Sequence, residues 1–161
     1  MRVGIGYDAH PLVEGRKLVL GGEEINFPKG LQGHSDADLL CHSIADALLG
    51  ASGLGDLGKH FPDDDPKYEG ISSLEILQAV EKMVAENGFS ISYIDSMIIA
   101  QQPKLSKYIE KMRENLASSV GIEKGRVSVK ATTTNGLGFS GREEGMEAMA
   151  VVLLAEIHRN F

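Results

Sequence analysis

Residues 37–52, ADLLCHSIADALLGAS, constrain this chain more than any other stretch: Leu39, Leu40, Ile44, Ala47, Leu48 and Ala51 recur there at helical spacing. A helix with so broad an apolar face must be covered by a sheet or by other helices. Ser35 or Asp36 can cap its start, and Gly53 and Gly55 stop it. Cys41 falls among the apolar positions and reads as a core residue. Around this helix the pattern alternates. Residues 1–8 put Val3, Ile5 and Tyr7 on one side of a strand, and residues 17–20 and 23–27 flank Gly21-Gly22 as a hairpin. Residues 72–87 form a second amphipathic helix, 91–100 a strand, 103–120 a third helix opening at Pro103, and 127–134 a β-branched strand. Residues 145–157 fit either a helix or a long strand. Strands alternating with helices over 161 residues, without a linker, indicate one α/β or α+β domain.

Composition removes several classes of function. With 16 Lys and Arg against 23 Asp and Glu, the net charge is −7, so no basic surface for nucleic acid is expected. No apolar run approaches the roughly 20 residues that a membrane span needs. A single cysteine excludes an internal disulfide framework and fits a reducing compartment. The N-terminal MRVGIGYDAH lacks the blocks of a signal peptide, so a cytoplasmic protein is expected. The 19 glycines imply turns and places of close backbone approach. An acidic protein that handles an anion needs local positive charge, from a metal or from a few placed lysines and arginines.

Asp8 and His10 lie two apart on the first strand, so their side chains share a face. Carboxylate plus imidazole suits zinc; the plainer alternative is a polar pair at a turn. His34 and His42 bracket the start of the long helix, and His42 stands four residues from both Asp38 and Asp46. Either carboxylate could hold the second ring nitrogen of a ligating histidine, or simply pair with it on a half-exposed helix. A strand pair plus one helix histidine gives three ligands and an open fourth position, the count of a catalytic zinc site. The loop GLGDLGKHFPDDDP, with Asp56, Asp63, Asp64 and Asp65, can cradle hydroxyls or phosphates or be a solvated acidic loop; His60 within it reads as a surface residue. KATTTNGLGFSGREEG ends a strand in three threonines followed by glycines and Arg142, which suits phosphate oxygens, or equally a β-rich strand entering a turn.

Taken in order, GYDAH, KGLQGHSDADLLCH, DALLGASGLGDLGKHFPDDDP, IIAQQPK and VKATTTNGLGFSGREEG resemble the 2-C-methyl-D-erythritol 2,4-cyclodiphosphate synthase family of the non-mevalonate isoprenoid pathway, nearly end to end. The resemblance implies a single α+β domain over residues 1–161, with a four-stranded mixed sheet packed by helices on one face. It also implies a strand at 145–157, a homotrimer, and active sites between neighbouring subunits. The implied reaction cyclises 4-diphosphocytidyl-2-C-methyl-D-erythritol 2-phosphate and releases CMP. Asp8, His10 and His42 match the family's zinc ligands, and His34 and Thr133 match positions that stabilise the transition state. Ala9 and Ser35 neighbour the substrate, and Asp56, Leu57 and Gly58 match the pocket for the methylerythritol hydroxyls. Phe61, Pro62, Asp63, Asp64 and Asp65 line that side. Ala100, Gln101, Gln102 and Pro103, with Lys104, Leu105 and Ser106, match the cytidine and diphosphate pocket. Thr132, Thr133, Thr134 and Asn135 continue it, and Phe139 and Arg142 match contacts near the trimer centre.

One position departs from the family. Members of the family this chain resembles usually carry glutamate at 135, where it helps hold a second divalent ion, magnesium or manganese, on the diphosphate; here the residue is Asn135. The amide keeps an oxygen but removes a negative charge, so weaker protein-side binding of that ion is expected. Two rival functions use the same residues: a metal-dependent phosphohydrolase acting on a related nucleotide diphosphate, and a non-catalytic trimer binding cytidine nucleotides or isoprenoid diphosphates. A bacterial cytoplasm is the expected home, or a plastid for a mature form.

Overall fold

The computed structural model describes residues 1–157. Its first strand, β1 (Arg2–Glu14), is followed by three short strands, β2 (Leu18–Leu20), β3 (Glu23–Ile25) and β4 (Lys29–Leu31). Helix α1 (Leu39–Ser52), the single turn α2 (Leu57–His60) and helix α3 (Ser73–Glu86) come next. Then follow β5 (Phe89–Ile99), α4 (Ile109–Ser119), β6 (Val127–Thr132), the single turn α5 (Gly138–Gly141) and β7 (Gly145–Glu156). The main sheet runs β4-β1-β7-β5-β6, and only β5 and β6 are parallel. It is therefore a mixed sheet in an α+β domain, with five strands rather than the expected four. The extra strand is β4, whose three residues pair with Leu12–Glu14 at the far end of β1; a run so short carries no readable alternation.

Of residues 145–157, Gly145–Glu156 resolve as strand, with β7 lying between β1 and β5. Inside β7, Met146, Ala148, Ala150, Val152 and Leu154 are all buried, an alternation that alanine and leucine content alone concealed. The β2–β3 hairpin forms as expected: Leu20 pairs with Glu23, and Gly21 and Gly22 both take positive φ, the two-residue turn that matches strand twist. Helix ends moved. Asp38, not Ser35 or Asp36, caps α1, its carboxylate accepting from the Cys41 amide at 3.2 Å. The third helix starts at Ile109 rather than at Pro103, because residues 101–108 run through bends and turns first.

Helix α1 lies across β1 and β7, and its approach is set by two glycines. A Cβ at Gly4 or Gly6 would run into the carbonyl oxygen of Ala47 or Ser43, inside contact distance. Only residues without a side chain let the helix backbone sit this close to the strand. The core fills the space between, with Leu39, Leu40, Ile44, Leu48 and Leu49 of α1 wholly buried. On the other side of the sheet, Val3 (68%), Ile5 (66%) and Val151 (46%) remain exposed. Among the described residues, no helix is long and apolar enough to cross a membrane.

Candidate active site

The alternation of β1 that buries Gly4 and Gly6 under α1 carries on to Asp8 and His10, just past the start of the helix. His42 lies in the first turn of α1, one residue before the Ser43 that packs on Gly6. The three side chains meet: Asp8 Oδ2 stands 2.8 Å from His10 Nε2 and 3.1 Å from His42 Nδ1. One ligand atom from each residue lies within 4.8 Å of the others. The outer ring nitrogens are also held. His10 Nδ1 is 2.8 Å from the Gln32 carbonyl, which can only accept, so this nitrogen carries a proton. In the neutral ring, Nε2 is then bare and aims a lone pair at a carboxylate oxygen.

Electron pairs converging in this way call for a cation between them. Without a metal, the cation is a proton on a ring. Burial pushes the Asp8 carboxyl up, but hydrogen bonds and charge from His10 and His42 outweigh it and hold the pKa at about 2. Burial pulls His10 down, but the bond and charge of Asp8, with help from the Gln32 carbonyl, raise it above the ordinary histidine value. A divalent ion would replace that proton with a stronger charge, and one carboxylate plus two imidazoles is a donor set that suits zinc. Three protein ligands would leave a fourth position open for water or substrate.

The triad lies in a cleft of about 500 Å³, lined also by His34, Ser35, Asp46, Asp56, Gly58 and Phe61. Leu57, Pro62 and Asp63 belong to the same wall. Carboxylates with little fixed positive charge suit the hydroxyls of a polyol better than a bare phosphate. Asp46 accepts the Leu57 amide at 3.0 Å and Asp56 accepts the Lys59 amide at 2.9 Å, so both brace the loop. His34 Nε2 donates to the Asp65 carbonyl at 3.1 Å, tying the cleft to the loop behind it. Asp64 and Asp65 do not line the cleft; Asp65 caps a short turn through the Lys67 amide. His60 is half-buried with Nε2 on the Leu54 carbonyl, not a free surface residue.

A second pocket of about 540 Å³ collects Ala100, Gln101, Pro103, Lys104, Leu105 and Ser106, with Thr132 and Thr133 opposite. Gln102, Thr134 and Asn135 lie just outside it; Thr134 donates to the Leu137 carbonyl at 2.6 Å, and Asn135 has φ +54°. The two pockets do not merge within one chain. Thr132 pairs with Ile99, Ile99 with Glu147, and Glu147 with Ala9, a row of four neighbouring strands. At about 4.8 Å per strand, roughly 14 Å separates Thr132 from Ala9. Ala9 turns away from Asp8 and lines a smaller pocket with His10, Pro11 and Phe139, while Arg142 is exposed and pairs with Glu144 at 2.8 Å.

The carboxylates expected behind His42 lie elsewhere. Asp38 is fully buried, and its oxygens take the Gly21 and Gly22 amides at 2.9 and 2.7 Å, while Asp46 faces Leu57. A helical spacing of four brings Cβ atoms near, but a carboxylate aimed at amides on other elements cannot also reach the ring. His42 Nε2 instead meets the hydroxyls of Ser73 at 2.9 Å and Ser35 at 3.2 Å. Ser73 stood 31 residues from His42 and gave no signal in the sequence beyond opening a helix.

A profile of the YgbB family matches residues 1–155. Over 156 residues the chain is 59% identical to the 2-C-methyl-D-erythritol 2,4-cyclodiphosphate synthase of Alkaliphilus metalliredigens, covering 97% of this chain and 98% of that protein. The bifunctional IspDF of Campylobacter jejuni superimposes with a TM-score of 0.94 at 43% identity, over 97% of this chain and 42% of that one. The IspF of Plasmodium falciparum in its CDP complex gives 0.85 at 32% identity, over 98% of this chain and 97% of that one. The chain belongs to the YgbB family, alongside the enzymes named 2-C-methyl-D-erythritol 2,4-cyclodiphosphate synthase.

Proposed function

We propose that this chain converts 4-diphosphocytidyl-2-C-methyl-D-erythritol 2-phosphate to 2-C-methyl-D-erythritol 2,4-cyclodiphosphate and CMP. The convergence of Asp8, His10 and His42 on one point inside a polar cleft carries this reading. In the reaction, an oxygen of the 2-phosphate bonds to the β-phosphorus. The bond from that phosphorus to the bridging oxygen breaks, and CMP departs with the electron pair. The attacking phosphate is ionised near neutral pH, since its second pKa is about 6, so no strong base is needed. Repulsion between anions is the obstacle, which places the weight on alignment and charge.

Zinc, held by Asp8, His10 and His42 when bound, would supply Lewis acidity to the β-phosphate. Thr133, and His34 once its Nε2 leaves the Asp65 carbonyl, donate to phosphate oxygens, and Lys104 adds a positive charge beside the nucleotide pocket. Asp56 and the backbone near Gly58 receive the methylerythritol hydroxyls. Asn135 and Thr133, whose side chains meet at 3.4 Å, would offer neutral oxygens to a magnesium or manganese ion bound with the diphosphate.

His34 and Thr133 line separate pockets of one chain, so their joint action needs a neighbouring copy. A homotrimer supplies it, with the triad cleft of one subunit facing the threonine pocket of the next. The exposed Val3, Ile5 and Val151 support this assembly, being too apolar a sheet face to leave in water.

Phosphorus NMR of the protein with this substrate and magnesium, before and after chelation, tests the reading. A cyclic diphosphate appearing with equal CMP, and abolished by chelation, is the expected result. Linear methylerythritol phosphates would make it a hydrolase, and unchanged substrate with retained affinity would make it a binding protein.

A further inference from the structure

We propose that Ser73, backed by Asp36, is a positioning residue that fixes the tautomer and the orientation of the His42 ring for metal binding. The inference rests on Asp8, His10 and His42 being the metal site. Ser73 is the first residue of α3 and is wholly buried. Its backbone amide donates to Asp36 Oδ2 at 3.0 Å, and its hydroxyl donates to Asp36 Oδ1 in a still closer contact. An ionised carboxylate only accepts, so the single hydroxyl hydrogen is committed to Asp36. The Ser73 oxygen can then only accept from the ring nitrogen 2.9 Å away, His42 Nε2.

That chain of donors has one consequence for the ring. Two acceptors compete for the proton of a neutral His42, and the Ser73 oxygen, closer at 2.9 Å than the Asp8 oxygen at 3.1 Å, draws it to Nε2 and leaves Nδ1 bare toward Asp8. Nδ1 is the nitrogen that must be free to bind a metal. Ser35 cannot enforce this alone: its hydroxyl stands farther off at 3.2 Å and already accepts the Ala37 amide at 3.1 Å. Asp36 is held in turn, because its own amide donates to the Ile71 carbonyl and its Oδ1 accepts the Asp38 amide. Ordering the start of α3 and the turn before α1 therefore orders the metal ligand, through two residues outside both the triad and the cleft lining.

The first test is 15N NMR of His42 in metal-free wild-type protein, at alkaline pH where the ring is neutral. A protonated Nε2 is expected, and a protonated Nδ1 would overturn the inference whatever any variant does. Zinc affinity, read by competition with a chromophoric chelator, is then compared with that of Ser73→Ala. Partners behind metal ligands are worth about 10–100-fold, so a loss in that range is expected together with a mixed tautomer in the variant. A purely structural role would lower the melting temperature and leave the tautomer on Nε2; that result, or unchanged affinity, overturns the inference. A wild type that binds no zinc while keeping the Nε2 proton would overturn the site reading itself, and the inference with it.

Discussion

Gly6 of β1 lies directly under the carbonyl oxygen of Ser43 in α1, with no room between them for a Cβ. This contact sets the depth at which α1 sits on the sheet, and His42 precedes Ser43 by one residue. Packing and chemistry are therefore coupled here: what lets the helix approach also brings an imidazole nitrogen to 3.1 Å from Asp8.

Gly6→Ala should lift α1 from the strand. Overpacking costs about 1–3 kcal/mol, and the obstacle here is backbone rather than a flexible side-chain end, so the upper part of that range is expected. Denaturant unfolding of the metal-free variant measures it. Zinc affinity should fall as well, since the helix carries a ligand, whereas Gly50→Ala, in the same helix with nothing within 4 Å of its added Cβ, should leave zinc affinity unchanged and raise stability by up to about 1 kcal/mol.

Asp38→Asn should destabilise the fold by about 1–3 kcal/mol, because the carboxylate accepts from the amides of Gly21, Gly22 and Cys41 and an amide nitrogen in its place would face one of those donors. Burial, with the nearby Asp36 charge, pushes the Asp38 carboxyl above its usual range, more than the three amides pull it down. A folded-state pKa above the unfolded one contributes stability that is complete below the unfolded value and is lost as pH rises through the folded value. The gap between wild type and variant should therefore be widest in acid and narrow as pH rises through that elevated range. Melting temperatures across a pH series check both parts.

Much of this was legible in the chain. The apolar stripe of residues 37–52, the Gly21-Gly22 turn and the Asp8-x-His10 face are local patterns, and local geometry decides them. The strand at 145–157 was not decidable from periodicity, because its central position in the sheet buries residues that would equally suit a helix. Asp38 was readable as acidic and near His42, but whether it faced the ring or the hairpin amides depended on how β2–β3 docks on α1. Ser73 and Asp36 became visible only when α3 brought residues 37 apart in sequence into contact.

Removing the shared carboxylate by Asp8→Ala should abolish stoichiometric zinc and turnover while sparing the fold. Asp8 contacts both histidines, so its loss unpairs two ligands at once. Asp8 lines the cleft and is only half-buried, so the fold should survive, although losing its contacts with both histidines should lower the metal-free melting temperature by a few degrees. Metal analysis after dialysis, beside circular dichroism, separates the two effects. A variant with full zinc content and normal rate would remove Asp8 from the ligand set.

Asn135→Glu tests the departure at the end of β6. Asn135 has φ +54°, a left-handed conformation that asparagine tolerates better than glutamate does. The substitution should therefore cost about 1 kcal/mol of stability, in line with the penalty for a bulkier residue in that region. In exchange it returns a negative charge to the threonine loop, where Asn135 Oδ1 now accepts only the distant Thr133 hydroxyl at 3.4 Å. The magnesium or manganese concentration giving half-maximal rate should fall several-fold, because a carboxylate binds a hard cation more strongly than an amide does. If that concentration is unchanged while the variant is folded and zinc-loaded, the substrate diphosphate alone sets the affinity for the second ion, and residue 135 has no part in it.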